Sequence, residues 1–242
     1  LNELLHIACE SYKADSKIIS HIVSLNKIDI NDKDKNGNTP LLLLCENSNN
    51  LAIIKYFVEL KGVDLTVVNN EGETLLHKAT SCGEMPLIKY LISLNKIDVT
   101  KTDKEGRSIL HVACQRGSLQ LVRYLISLDK LDLSAKDKEG KTILHYACNN
   151  NCFEMMKYLI SLNKVDLDAK DKEQKTILFE LCENGNLDHV STLINLHQFE
   201  LDETDDDGNN ILYYAVKSEN IDLVQYLISK DKIPVTNKNK RG

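Results

Sequence analysis

The chain copies itself about every 34 residues: Gly37, Gly72, Gly106, Gly140, Gly208 and Gly242 stand on one ladder, with Gln174 on the missing rung. The segments between these rungs are versions of a single supersecondary unit. Asp103 opens DKEGRSILHVACQRGSLQLVRYLISLDKLDLS and Asp137 opens DKEGKTILHYACNNNCFEMMKYLISLNKVDLD. A unit this short buries no core of its own, so such a chain folds by stacking copies on one another. Any function must then be sought across units and not inside one.

Each copy carries the same local signals. Thr39, Thr74, Ser108, Thr142, Thr176 and Asn210 stand just before an apolar run, where a short side-chain oxygen caps a helix N-terminus. A second helix follows, with apolar residues at helical spacing such as Leu121, Val122, Leu125 and Ile126, and with Gln120 and Arg123 turned to water. It is expected to stop at Asn26, Asn95, Asp129 or Asn163, residue types that tolerate the left-handed conformation of a C-terminal cap. The four residues after each stop, for example Ile97 to Thr100, read as an extended arm of a hairpin finger.

The pattern resembles the ankyrin repeat, most closely at Asn36-Gly37-Asn38-Thr39-Pro40-Leu41 and at Ser108-Ile109-Leu110-His111-Val112-Ala113. The resemblance implies an all-α solenoid of stacked helix-turn-helix units with hairpin-like finger loops. The expected organisation is one elongated domain over residues 1–242, with repeats near 1–33, 34–68, 69–102, 103–136, 137–170, 171–204 and 205–238, and with 239–242 opening a further unit. Leu1 to Ala8 enters directly at a first helix, so the chain reads as an excerpt of a longer array.

Five of the seven cysteines follow the repeat. Cys9, Cys45, Cys114, Cys148 and Cys182 share the slot after the alanine position, where a small apolar side chain lets helices approach. Consecutive slots lie about one repeat apart, too far for most disulfides. Cys82 and Cys152 fall outside the slot and are the better candidates for a reactive thiol. An odd count fits a reducing compartment, so a cytoplasmic location is expected. His6, His77, His111 and His145 also recur, and His-x-x-Cys spacing on a helix can present two metal ligands. The resemblance instead implies that these rings tie neighbouring loops together, and Leu42, Phe179 and Tyr213 replace them in other copies. No metal or cofactor is expected. His189 and His197 are expected on the solvent side.

Enzyme signatures are missing. The ten glycines never stand closer than ten residues apart, so no G-x-G-x-x-G or Walker loop can cradle a phosphate, and no H-E-x-x-H, G-x-S-x-G or Cys-x-x-Cys occurs. The chain is not expected to be an enzyme. No apolar run approaches the ~18 residues of a membrane span, and no membrane insertion is expected. A net charge of -6 opposes the broad positive footprint of nucleic-acid binding.

What remains is surface. The resemblance implies a concave groove, formed by finger tips and the exposed edges of the first helices, that binds a partner protein. The candidate positions are Lys104, Glu105, Arg107, Gln115, Arg116, Lys138, Glu139, Lys141, Tyr146, Asn149, Asn150, Lys172, Glu173, Lys175, Glu183 and Asn184. Seven of the groove residues between Asp103 and Thr204 are basic and four are acidic, an excess of three positives. Tyr146 and Tyr214 are placed to reach the groove as anchors. The resemblance fits equally a lone scaffold, a recruiting or regulatory part of a larger enzyme or channel, and a mechanical spacer. A monomer is expected, with self-association through the uncapped ends left open.

Overall fold

The computed structural model describes residues 1–11, 14–25, 27–47, 51–149, 152–236 and 238–242. Asn26, named above as a helix stop, lies outside the described residues. Fourteen helices form among the described residues: α1 (Asn2–Glu10), α2 (Ser16–Ser24), α3 (Pro40–Asn47), α4 (Leu51–Glu59), α5 (Leu75–Cys82), α6 (Met85–Ser93), α7 (Ile109–Arg116), α8 (Leu119–Ser127), α9 (Ile143–Asn149), α10 (Phe153–Ser161), α11 (Ile177–Glu183), α12 (Leu187–Leu196), α13 (Ile211–Lys217) and α14 (Ile221–Ile228). They belong to two compact units, Leu1–Leu131 and Asp132–Gly242.

In the first unit the odd-numbered helices pack in a row, α1 on α3, α3 on α5 and α5 on α7, and each even-numbered helix packs on the odd one before it. In the second unit α9, α11 and α13 form such a row, backed by α10, α12 and α14. Helices of seven to ten residues are marginal in isolation, so their stability comes from this lateral packing. In α8 the stripe Leu121, Val122 and Leu125 is buried while Gln120 and Arg123 are exposed, as the spacing predicts. Full burial of each such side chain contributes about 1.5–3 kcal/mol.

The first helices start as the sequence implies. Thr39 Oγ1 accepts the Leu42 N–H at 3.4 Å, Thr74 Oγ1 accepts the His77 N–H at 3.3 Å, and Asn210 Oδ1 accepts the Tyr213 N–H at 3.2 Å. Thr176 makes no side-chain cap hydrogen bond. The second helices end on left-handed residues at Asn95, Asp129 and Asn163, each with φ of 51 to 52°. The segment after them differs from expectation. Ile97–Thr100 is a turn and not an extended arm, because Asp98 Oδ1 captures both the Thr100 N–H at 2.9 Å and its hydroxyl at 2.7 Å. Asp64 with Thr66 and Asp132 with Ser134 repeat the arrangement, and the captured hydroxyls and amides hold all three carboxyls below their usual range.

The fingers lie just before each first helix. Asp103 Oδ1 accepts the N–H groups of Glu105 and Arg107 at 2.9 Å each, and the Asp103 N–H donates to the Arg107 carbonyl at 3.0 Å, which closes the tip. Asp34, Asp137, Asp171 and Asp205 fold their tips the same way, with Asn69 standing in for the aspartate of the second finger. The rung residue then needs φ above zero. Gly72 sits at φ 75°, and a Cβ there would come within 2.9 Å of the Lys104 nitrogen.

Candidate functional site

Within each unit, successive fingers are joined by a backbone bond. In the first unit Asn70 N–H donates to the Asn36 carbonyl at 2.9 Å and Lys104 N–H to the Glu71 carbonyl at 2.8 Å. In the second unit Lys172 donates to Glu139 at 2.8 Å, Asp206 to Glu173 at 3.0 Å and Lys240 to Asp207 at 2.8 Å. The tip side chains therefore stand on a hydrogen-bonded backbone whose geometry does not depend on them.

The recurring histidines brace the fingers from below. The Thr74 N–H donates to His77 Nδ1 at 3.3 Å, and His77 Nε2 meets the Arg107 carbonyl at 3.0 Å. A ring that accepts at Nδ1 and donates at Nε2 is neutral, and burial holds His77 and His145 below the usual imidazole range. His6 Nε2 reaches the Asp32 carbonyl at 3.0 Å and His145 Nε2 reaches the Lys175 carbonyl at 3.3 Å. In His77 and His145 both ring nitrogens are thus engaged, one as acceptor and one as donor.

The five cysteines of the slot, Cys9, Cys45, Cys114, Cys148 and Cys182, are buried. Burial pushes the Cys9 thiol up to about 12 and raises Cys45, Cys148 and Cys182 as well. Cys82, read from its position as a candidate reactive thiol, donates to the Glu46 carbonyl. Its burial and the Glu46 carboxylate raise its pKa, the reverse of what a nucleophilic thiol needs. Cys152 is half-buried ahead of α10. His189 and His197 are half-buried, part of each ring facing solvent: His189 stacks on Phe153 at 4.1 Å, and His197 bonds Asp168 at 2.8 Å against the edge of Phe199.

The positions proposed for partner binding divide into two groups. Lys104, Glu105, Gln115, Arg116, Lys138, Glu139, Asn149, Lys172, Glu173, Glu183 and Asn184 are exposed. Arg107, Lys141, Tyr146 and Lys175 are half-buried, and Asn150 lies outside the described residues. Arg107 Nε bonds Asp103 Oδ2 at 2.8 Å, Lys141 Nζ bonds Glu180 at 2.9 Å, and Lys175 Nζ bonds Glu173 at 2.7 Å while lying 5.1 Å over the Tyr214 ring. Burial opposes charge on Lys141, but Glu180 outweighs it and holds the ammonium above its usual range. The excess of three positives counted above leaves out Asp103 and Glu180, which take up two of those cations. Among the remaining contacts, Lys172 faces Glu139 at 3.8 Å and Asn184 Nδ2 donates to the Cys148 carbonyl at 2.9 Å.

The tyrosine anchors turn inward. The Tyr214 hydroxyl donates to Asp205 Oδ2 at 2.6 Å and that of Tyr146 to Asp137 Oδ2 at 2.7 Å. Each phenol thus ties a first helix to the base of its own finger. Tyr214 is buried, and burial together with Asp205 pushes its hydroxyl up to about 12.

A polar cleft of about 440 Å³ opens between fingers and first helices of the first unit. Glu10, Asp34, Glu46, Glu71 and Glu73 line it, with Asn36, Asn38, Asn47, Asn69, Asn70, Leu43 and Lys78, so five carboxylates face one ammonium. Lys78 is buried at its wall, 2.7 Å from Glu73 and 3.2 Å from Glu46. Burial opposes both charges of the inner pair, yet their mutual bonds hold Glu73 below and Lys78 above their usual ranges. The charge count above covered only the repeats from Asp103 onward, and extending it to the tip and helix-edge positions of residues 34–82 finds Glu46, Glu71 and Glu73 of this set.

Among the described residues no helix is long and apolar enough to cross a membrane. A family model described as "Ankyrin repeats (3 copies)" matches residues 5–103, 82–171 and 154–239. No curated protein matches the chain.

Proposed function

The chain belongs to the ankyrin-repeat family, whose members are generally protein–protein interaction modules, and from that premise we propose that it is a scaffold that binds a partner protein along its finger tips and first-helix edges. One observation carries the reading: Lys104, Glu105, Lys138, Glu139, Lys172 and Glu173 stand exposed and charged at the finger tips, while the bonds that shape the tips come from backbone and from the finger aspartates. A surface of this kind is pre-organised, so a partner incurs little ordering cost on binding. The first unit's cleft presents acceptors and negative charge; the second unit's tips present Lys138, Glu139, Lys172 and Glu173 in alternation. Such charges act mainly on orientation and association rate. No catalytic role is assigned to any of these groups. The free thiols Cys9, Cys45, Cys148 and Cys182 in the packing slot fit work in a reducing, cytoplasmic compartment.

Charge reversal at exposed tips tests the reading. Lys141 and Lys175 are poor choices, because each is half-buried in an ion pair and its reversal would strain the fold. Lys104→Glu, Lys138→Glu and Lys172→Glu combined should leave the thermal midpoint unchanged and lose a partner captured from a cell extract by the unmodified chain. Retention of the same partner by the triple variant would remove the tips from the interface.

A further inference from the structure

One helix pair of the second unit, α9 with α10, departs from the repeat in a chemically consistent way. Met156 is the fourth residue of its second helix, a position held by Ile19, Ile54, Ile88, Val122, Val190 and Val224 in the other copies. Cys152 stands at the N-cap of α10, where the next two copies have Asn186 and Asn220. Those amides cap their helices by accepting the His189 and Leu223 N–H groups, whereas Cys152 makes no side-chain cap hydrogen bond. Branched hydrocarbon and a capping amide build the pair elsewhere; here a thioether and a thiol replace them. The helix pair does not need sulfur at either position.

The backbone gathers these sulfurs with that of Cys148 in the packing slot. The Cys152 N–H donates to the Ala147 carbonyl at 3.2 Å, which returns the chain to the end of α9, and the Met156 N–H donates to the Cys152 carbonyl at 3.0 Å. Cys148 Sγ donates to Met156 Sδ at 3.6 Å, and both side chains are buried. They line one small cavity with half-buried Cys152 and with the stacked rings of Phe153 and His189. The space left among them does not admit a water molecule.

We propose that this cavity binds a soft monovalent metal ion, copper(I), between Cys148 Sγ and Met156 Sδ, with the sulfur of Cys152 as third ligand. Thiolate and thioether are the ligand types that select copper(I). Two metal–sulfur bonds of about 2.3 Å meeting at a trigonal angle hold their sulfurs about 4 Å apart, so the Cys148–Met156 pair needs only a small separation to share an ion. Charge fits the burial. On binding, a copper–sulfur bond replaces the Cys148 S–H bond, the proton now directed at Met156 passes to solvent, and no oxidation state changes. One thiolate and one monovalent ion are together neutral, as a dry apolar wall requires; a divalent ion would leave a positive charge there. Structural zinc also takes four nitrogen or sulfur ligands, and among the described residues no three His, Cys, Asp or Glu side chains converge to hold one.

The test is competition for copper(I), without oxygen, between the reduced 242-residue chain and a chromogenic copper(I) chelator. Each variant takes a residue that the chain itself carries at the same position of another copy: Met156→Val as at Val190, Cys152→Asn as at Asn186 and Cys148→Thr as at Thr80. Circular dichroism checks that each is folded, and Met156→Val decides alone if the others are not. The unmodified chain should withdraw one copper ion that Met156→Val and Cys148→Thr lose, and Cys152→Asn should release it at a lower chelator concentration. Cys182→Thr alters the same slot one pair further on, where Val190 stands in place of the methionine, and should keep the ion. X-ray absorption at the copper edge should show sulfur neighbours alone. The proposal is overturned if the unmodified chain withdraws no copper, if Met156→Val withdraws as much, if Cys182→Thr loses as much as Cys148→Thr, or if nitrogen or oxygen surrounds the ion.

Discussion

Gln174 shows how far one residue can depart from the repeat and still be carried by it. It takes φ of 63° on the finger rung where the other copies have glycine, a conformation that costs an L-residue about 1–2 kcal/mol. Glycine would relieve that strain at an entropic cost of about 0.5–1 kcal/mol. Gln174→Gly should therefore stabilise the chain by about 0.5–1 kcal/mol in urea unfolding, and a loss of stability would mean that the Gln174 side chain holds its finger in a way the backbone does not. The histidines make a second prediction at this scale. Burial lowers the folded-state pKa of His77 and His145, so below the unfolded value of about 6.5 the unfolded chain binds protons that the folded one does not. Stability is then full above that pH and falls as pH drops through about 6.5 towards the lowered values. The thermal midpoint should fall on acidification from pH 7 to 5, and His77→Gln with His145→Gln should flatten that dependence. A midpoint equally steep in the double variant would place the loss on carboxylates instead.

At the scale of the element, the sequence revealed the helices and their seams because apolar spacing and caps are local signals. The stripe Leu121, Val122 and Leu125, the caps at Thr74 and Asn210, and the left-handed stops at Asn95, Asp129 and Asn163 are all read from a few neighbouring residues. What escaped was settled by side chains reaching further. The turn at Ile97–Thr100 follows from Asp98 capturing Thr100 instead of leaving the strand open; Tyr214 looked like an anchor until its hydroxyl was seen to reach Asp205, nine residues back. The acidic cleft was legible in Asp34, Glu46, Glu71 and Glu73, although the burial of Lys78 among them was not. The division of core from surface is tested by paired truncations. Leu110, fully buried in α7, should cost about 2–5 kcal/mol as Leu110→Ala, whereas Lys104→Ala, at an exposed tip, should stay within about 0.5 kcal/mol. Equal costs in denaturant unfolding would put the tip inside the fold and break the separation.

For the molecule as a whole, repetition divides labour between positions. Slots that recur with one chemistry, such as cysteine after alanine or histidine after the cap, hold the seams. Positions that recur in place but not in chemistry, such as Asn70, Lys104, Lys138, Lys172 and Asp206 at the second residue of each finger, are free to be fitted to a ligand. Amide hydrogen exchange of the chain with and without a captured partner tests the central claim most directly. Protection gained at the finger tips and first-helix ends, around 34–38, 69–73 and 103–107 in one unit and 137–141 and 171–175 in the other, is the predicted result. Protection confined to the outer faces of the second helices, around Lys55, Lys89 and Lys157, would contradict it.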